Sequence, residues 1–248
     1  MTDYTKTCLI TGASRGIGAA TARRMAGLGY HVFVNYRSSH AGAADLVQGI
    51  RQDGGSAEAI CADVTSKESV RVMLKGISAR HQKLDVLVHN AALPLVPRRA
   101  LDLDWSRDVE PQIAVNAAGF LNVVQAANGL LASDSRVIVL LTDALFHTPP
   151  VQMGAYLAAK GALWGLVRAV AKELRSRGVR VNAVSPSMVD TELLDNYPER
   201  AREIFAQDHP LGRLATADEV AAVVTAIATE AGSYLNGTNI IVNGGSET

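Results

Sequence analysis

The sequence predicts an α/β fold: a Rossmann-like, doubly wound parallel sheet of about seven strands with helices on both faces. Three observations point there. Short β-rich runs alternate with longer segments of helical period along the whole chain. Most of the short runs are continuously apolar, as expected of strands buried on both faces. The first of them opens into a glycine-rich turn, Thr11-Gly12-Ala13-Ser14-Arg15-Gly16-Ile17-Gly18, that leads into a helix.

The elements follow in order. Strands are expected at 7–10, 31–35, 57–61, 84–89, 136–141, 179–184 and 239–242, and helices at about 16–28, 41–53, 66–80, 112–132, 153–177 and 217–229. Strand, crossover helix and parallel strand form a right-handed unit, so this alternation dictates a parallel sheet between helical layers. Residues 1–248 read as one nucleotide-binding domain. The longest stretch without periodicity, about 186–212, contains Pro186, Pro198 and Pro210 and follows a strand, which marks it as a substrate lid.

Composition narrows the class. Lys plus Arg number 24 and Asp plus Glu number 24, a balance that argues against nucleic acid or an anionic membrane as the main partner. A hydrophobic content of 48% is ample for a core. Cys8 and Cys61 lie in apolar segments and read as core residues, with no disulfide framework and no metal centre implied. Residues 1–6 lack the pattern of a signal peptide. The longest apolar candidate, 113–131, is broken by Asn116, Asn122, Gln125 and Asn128, so no membrane span is expected. A cytoplasmic, reduced protein is the expectation.

The glycines of the first turn have separate tasks. Gly12 allows the sharp turn, Gly16 lets backbone approach a pyrophosphate, and Gly18 permits close helix–strand packing. Ser14, Arg15 and Ile17 lie between them, and the amides at the helix start face an anion. The second strand ends Val34-Asn35-Tyr36-Arg37-Ser38, with no acid to bind an adenosine ribose. Arg15 and Arg37 instead suit a 2′-phosphate, which selects NADP(H); the alternative is that both are solvated. Asp63-Val64 follows the third strand, where an adenine would lie, although Asp63 is equally a candidate helix N-cap. Asn90-Ala91-Ala92 follows the fourth, with small residues that admit a cofactor.

Tyr156 and Lys160 lie four apart on one helix face. A tyrosine titrates near pH 10 on its own, and a fixed ammonium beside it stabilises the tyrosinate. The pair reads as an acid–base device, or else as a surface helical pair.

Together these motifs resemble the short-chain dehydrogenase/reductase family. They comprise Thr11-Gly12-x-x-x-Gly16-x-Gly18, Asn90-Ala91-Ala92, Asn116, Tyr156-x-x-x-Lys160, Val181-Asn182-x-x-x-Pro186 and Gly237…Asn243-Gly244-Gly245. The resemblance implies that Tyr156 gives a proton to a carbonyl, or takes one from an alcohol. It implies that Lys160 lowers the Tyr156 pKa and holds the nicotinamide ribose, and that Asn116 supports a relay water in a helix kink. Pro186, Val189 and Thr191 would meet the nicotinamide carboxamide. Thr142 is the candidate for the family's catalytic serine, within Leu140-Leu141-Thr142-Asp143. The sequence departs from the family at His89 (usually Asn), Ala92 and Ser187 (usually Gly) and Asp143, which is expected to face solvent or cap a turn. His147 and His209 read as packed or solvated histidines.

Within the family the likeness is to 3-oxoacyl-(acyl carrier protein) reductases, which implies NADPH reduction of β-keto thioesters and a homotetramer. Phe146, Pro149, Pro150, Met153 and Met188 would shape the acyl pocket, or belong to the core. Arg168, Lys172, Arg175, Arg177 and Arg180, with Arg98 and Arg99, either steer an acidic acyl carrier protein or form a solvated surface. The small residues Ala117, Ala118, Gly119, Ala158, Ala159, Gly161, Ala162 and Gly165 suit subunit or internal packing. Competing readings are a ketoreductase dedicated to polyketide chains, an NADP-dependent alcohol or sugar dehydrogenase, and a non-catalytic NADP(H)-binding regulator. An enoyl reductase fits less well, because that relative usually spaces Tyr and Lys by about six.

Overall fold

In the computed structural model, which describes residues 6–147 and 149–246, seven parallel strands form one sheet in the order β3-β2-β1-β4-β5-β6-β7. The strands are β1 (Thr7–Ile10), β2 (His31–Tyr36), β3 (Ser56–Cys61), β4 (Val86–His89), β5 (Arg136–Leu140), β6 (Arg180–Pro186) and β7 (Asn239–Val242). The helices are α1 (Gly16–Gly27), α2 (His40–Gln52), α3 (Lys67–Ser78), α4 (Glu110–Ile113), α5 (Gly119–Ala127), α6 (Gly154–Leu174), α7 (Glu199–Asp208) and α8 (Ala217–Ala228). Among residues 1–6, where no signal peptide was expected, 1–5 lie outside the described residues.

Successive strand side chains point to opposite faces, and here both faces are buried. Leu9, Phe33 and Leu87 turn to the layer of α3, α5 and α6. Cys8, Ile10, Val32, Val34, Val86 and Val88 turn to the layer of α1, α2 and α8. This explains the uninterrupted apolar runs. The chain order reverses between β1 and β4, and a cleft opens there beyond the carboxyl ends of the strands.

Three expectations are corrected. The helix expected at 112–132 begins earlier and is broken. Asp104 caps it by accepting a hydrogen bond from the Arg107 N–H at 2.8 Å; π-turns occupy Trp105–Val109 and Ala114–Ala118, and regular helix ends at Ala127. The 186–212 segment is not all loop, for it contains α7 between Pro198 and Pro210, two residues that cannot continue a helix from within. Cys8 is buried, but Cys61 is exposed at the end of edge strand β3. Among the described residues no helix is long and apolar enough to cross a membrane.

Candidate active site

β1 runs directly into the glycine loop. Gly12 has φ +61°, and a Cβ there would stand 2.8 Å from the Ala91 Cα. Gly16 has φ +57°, so it serves the turn as well as the approach. A Cβ on Gly18 would meet Asn90 Nδ2 at 2.5 Å. The Asn90 amide donates to the carbonyls of Thr11 and Gly12 at 3.0 and 2.9 Å, which locks the loop to the end of β4. The α1 N-terminus has no side-chain cap, so its amides remain available to an anion.

Gly12, Ser14, Arg15, Gly16, Ile17, Asn35, Tyr36, Arg37, Ser38, Asp63, Val64, Asn90, Ala91, Ala92 and Thr191 line one cleft of about 310 Å³. Arg15 and Arg37 are exposed on it, and neither is in an ion pair among the described residues. Asn35 differs from expectation in its task. Its side chain is buried, accepts from the Gly12 N–H at 3.3 Å and donates to the Ala62 carbonyl at 3.1 Å, so it builds the cleft wall. Asp63 is not the helix cap. It accepts from the Thr65 N–H and hydroxyl at 2.8 and 2.7 Å, while Ser66 caps α3. The Val64 carbonyl accepts from Asn122 Nδ2 at 2.9 Å, which ties this wall to α5. Glu192, which the sequence did not single out, also lines the cleft; its Oε2 would lie 3.7 Å from a Cβ on Gly16.

A second cavity of about 300 Å³ abuts the first and shares Ile17, Asn90, Ala92, Thr191 and Leu193 with it. Its lining is largely apolar and includes Leu95, Leu141, Met153, Pro186, Met188 and Val189, with Thr142, Asp143, Tyr156 and Lys160 among its polar groups. Phe146 does not line it. That ring packs edge-on against Trp164 of α6, with centroids 6.0 Å apart, and Pro149 is likewise absent from the lining. Asp143 is not turned to solvent: it is 9% exposed and starts a 3₁₀ turn beside Thr142. His147 and His209 both reach the cavity wall, and His209 is held by a 2.8 Å hydrogen bond to the Asn243 carbonyl.

The polar residues converge at this floor. The Tyr156 phenol is hydrogen-bonded to the Thr142 hydroxyl. Burial pushes the phenol pKa up; the Thr142 bond offsets part of this, and the Asp143 charge adds to it. The net shift is thus upward, opposite to the lowering expected from Lys160. Lys160 Nζ donates to the Leu140 carbonyl at 2.8 Å and lies 5.5 Å from the Tyr156 ring centre. Burial draws its pKa down to about 7. Asn116 sits in the π-turn Ala114–Ala118, the helix irregularity that the resemblance implied. Its Nδ2 donates to the Gln112 carbonyl at 2.9 Å, and its buried Oδ1 has no partner among the described residues.

A phosphate cradle next to a buried Tyr–Lys–Thr cluster defines a dinucleotide-dependent oxidoreductase. A family model described as enoyl-(acyl carrier protein) reductase matches residues 12–247. A 3-oxoacyl-(acyl carrier protein) reductase of Staphylococcus aureus is 34% identical over 97% of this chain and 98% of its own. A cis-4-hydroxycyclohexanecarboxylate dehydrogenase of Sinomonas cyclohexanicum is also 34% identical, over 97% and 96%. A short-chain dehydrogenase from Burkholderia cenocepacia, solved in complex with NADP, superposes with a TM-score of 0.90 at 32% identity, covering 97% of each chain. The chain belongs to the short-chain dehydrogenase/reductase family, whose members are nicotinamide-dependent oxidoreductases. The residues present fit such a cofactor: helix amides with no side-chain cap, and a glycine turn held at positive φ at Gly12 and Gly16 that lines the cleft with backbone.

Proposed function

We propose that the protein uses NADPH to reduce a β-keto acyl thioester, carried on acyl carrier protein, to the β-hydroxy thioester. The observation that carries this reading is the 34% identity, over nearly the full length, to a 3-oxoacyl-(acyl carrier protein) reductase. It is supported by the largely apolar wall around Tyr156 and Thr142. The four-residue Tyr156–Lys160 spacing favours a ketoreductase over the enoyl activity in the matching family description. Arg15 and Arg37, free of acidic partners on the nucleotide cleft, favour the 2′-phosphate of NADPH.

A bound NADPH would supply a hydride for the ketone carbon. Tyr156 gives its phenolic proton to the ketone oxygen as charge develops there, and the Thr142 hydroxyl donates a second hydrogen bond to that oxygen. Lys160 holds the ribose and, as an ammonium, stabilises the resulting tyrosinate. Asn116 Oδ1 accepts from a water that returns a proton towards Lys160. Ser14, Gly16 and Gly18 shape the pyrophosphate cradle, Asp63 and Val64 the adenine wall, and Pro186, Val189 and Thr191 the carboxamide end. Met153 and Met188 contact the acyl chain.

The carrier would dock on α6, where Arg168, Lys172 and Arg175 are exposed and have no ion pair among the described residues. The other basic residues are engaged: Arg98 with Asp108 at 3.3 Å, Arg180 with Asp134 at 3.2 Å, and Arg177 with the Asn128 carbonyl at 2.8 Å. The homotetramer would use the exposed small face Ala158, Gly161, Ala162 and Gly165, since Ala117, Gly119 and Ala159 are consumed by internal packing.

A second reading, a dehydrogenase of a free small alcohol, is favoured by the equally identical cyclohexanecarboxylate relative. An NADPH-consumption assay with β-keto acyl chains on carrier protein, on a pantetheine mimic and free separates the two. Fastest turnover on the carrier supports the first; a carrier-free substrate that outpaces every thioester selects the second.

A further inference from the structure

His89, the last residue of β4, is 1% exposed and stands between the phosphate loop and the π-turn of Asn116. Its proton can be placed from both sides. The Thr11 hydroxyl oxygen accepts the N–H groups of Asn90 and Ala91, each at 3.1 Å. With its oxygen so occupied, Thr11 has its own proton to give, and His89 Nδ1 lies 3.2 Å away as acceptor. The ring proton is then on Nε2, which lies 3.1 Å from the Asn116 carbonyl, a group that only accepts. The two ends require the same tautomer. The imidazole stays neutral, because burial and the Lys160 charge lower its pKa to about 3.

The π-turn breaks the regular i→i+4 ladder around Asn116, so its backbone needs another anchor. His89 supplies that donor. The Asn116 amide is fixed at its nitrogen by Gln112, which is itself held to the Pro94 carbonyl at 3.0 Å. Oδ1 is thereby left free within the buried site.

We propose that His89 is a positioning residue: protonated on Nε2, it holds the Asn116 carbonyl and, through Thr11, couples the phosphate loop to the reaction centre. This rests on the reading of Asn116 as part of that centre. The coupling runs Thr11, His89, Asn116, and no step of it touches substrate.

The test is a double-mutant cycle on NADPH-dependent carbonyl reduction. His89→Leu is expected to lower kcat about tenfold or more with the KM for NADPH little changed, and His89→Gln, which keeps a donor at the Nε2 position, to restore most of it. In an Asn116→Ala background the same His89→Leu change should cost less than about twofold, because there is no side chain left to position. Equal losses in both backgrounds, or no loss from His89→Leu alone, overturn the proposal. A second readout needs no substrate: ¹⁵N imidazole spectra of the cofactor-free protein at pH 7 should show His89 protonated on Nε2. The Nδ1 tautomer or an imidazolium overturns the proposal, whereas absence of turnover with the correct tautomer would sink the ketoreductase reading alone.

Discussion

The phenol of Tyr156 is hydrogen-bonded to the hydroxyl of Thr142, and Asp143 stands next to that hydroxyl on a 3₁₀ turn. The bond places two donors where a carbonyl oxygen would arrive. Because burial and Asp143 push the phenol pKa above its usual value, Tyr156 keeps its proton across the neutral range. A protonated phenol suits reduction, which needs an acid; oxidation of an alcohol needs the phenolate.

The phenol therefore adds no titration to reduction around neutrality, and the reductive rate is expected to fall only as Lys160 loses its proton near pH 7, while the oxidative rate climbs through alkaline pH. Asp143→Asn removes one cause of the upward shift and moves the oxidative limb to lower pH. Steady-state pH profiles in both directions check this.

Lys160 carries a cost that follows from its burial. Its folded pKa of about 7 lies below the 10.5 of an unburied lysine. Below pH 7 the residue is protonated in both states and the folded state bears the whole penalty. Between 7 and 10.5 the unfolded state binds more protons, so stability rises with pH. Lys160→Met is expected to raise the Tm of the cofactor-free protein by several degrees at pH 6 while abolishing activity. That gain should shrink as pH rises towards 10. Calorimetry at three pH values measures it.

Glu192 leans over the phosphate loop from the lid, an anion where a pyrophosphate would bind. Glu192→Gln is expected to tighten NADPH about three- to tenfold at low ionic strength, with the gain fading in salt. Titration calorimetry reads the Kd directly. Unchanged affinity would mean that the lid carries Glu192 away when cofactor binds.

Arg15 and Arg37 are exposed cations on the nucleotide cleft. Replacing Arg37 by Ala is expected to weaken NADPH about ten- to a hundredfold and to leave NADH unaffected, with a smaller loss for Arg15→Ala. Equal losses for both cofactors would show that the arginines serve the pyrophosphate instead.

The fold was legible because both sheet faces are buried: apolar runs such as 31–35 carry a strong strand signal, and their alternation with amphipathic helices leaves little choice of topology. Spacing and order also single out Tyr156, Lys160, Thr142 and Asn116; the first three line one cavity, whereas Asn116 is fully buried in a π-turn and is not part of that lining. What failed was local. Pro198 and Pro210 read as loop punctuation although Ala201, Ile204 and Phe205 carry helical spacing between them, which is α7. The helix start behind Asp104 escaped the periodicity because π-turns at Trp105–Val109 and Ala114–Ala118 depart from the 3.6-residue repeat. Phe146 was assigned to the pocket by type, and only the packing on Trp164 shows where an aromatic ring settles. The tasks of His89 and Glu192 were beyond the sequence, because both depend on contacts across distant segments.

The proposed function turns on Tyr156 as proton donor to a β-keto thioester, with NADPH as reductant. NADPH oxidation by the wild-type protein and by Tyr156→Phe, with a β-keto acyl chain on carrier protein, tests it. Turnover by the wild type and a loss of about 10²–10⁴-fold in the variant are expected, with NADPH binding unchanged. Wild-type turnover that survives in Tyr156→Phe, or no NADPH consumption by the wild type on any carbonyl, would contradict it.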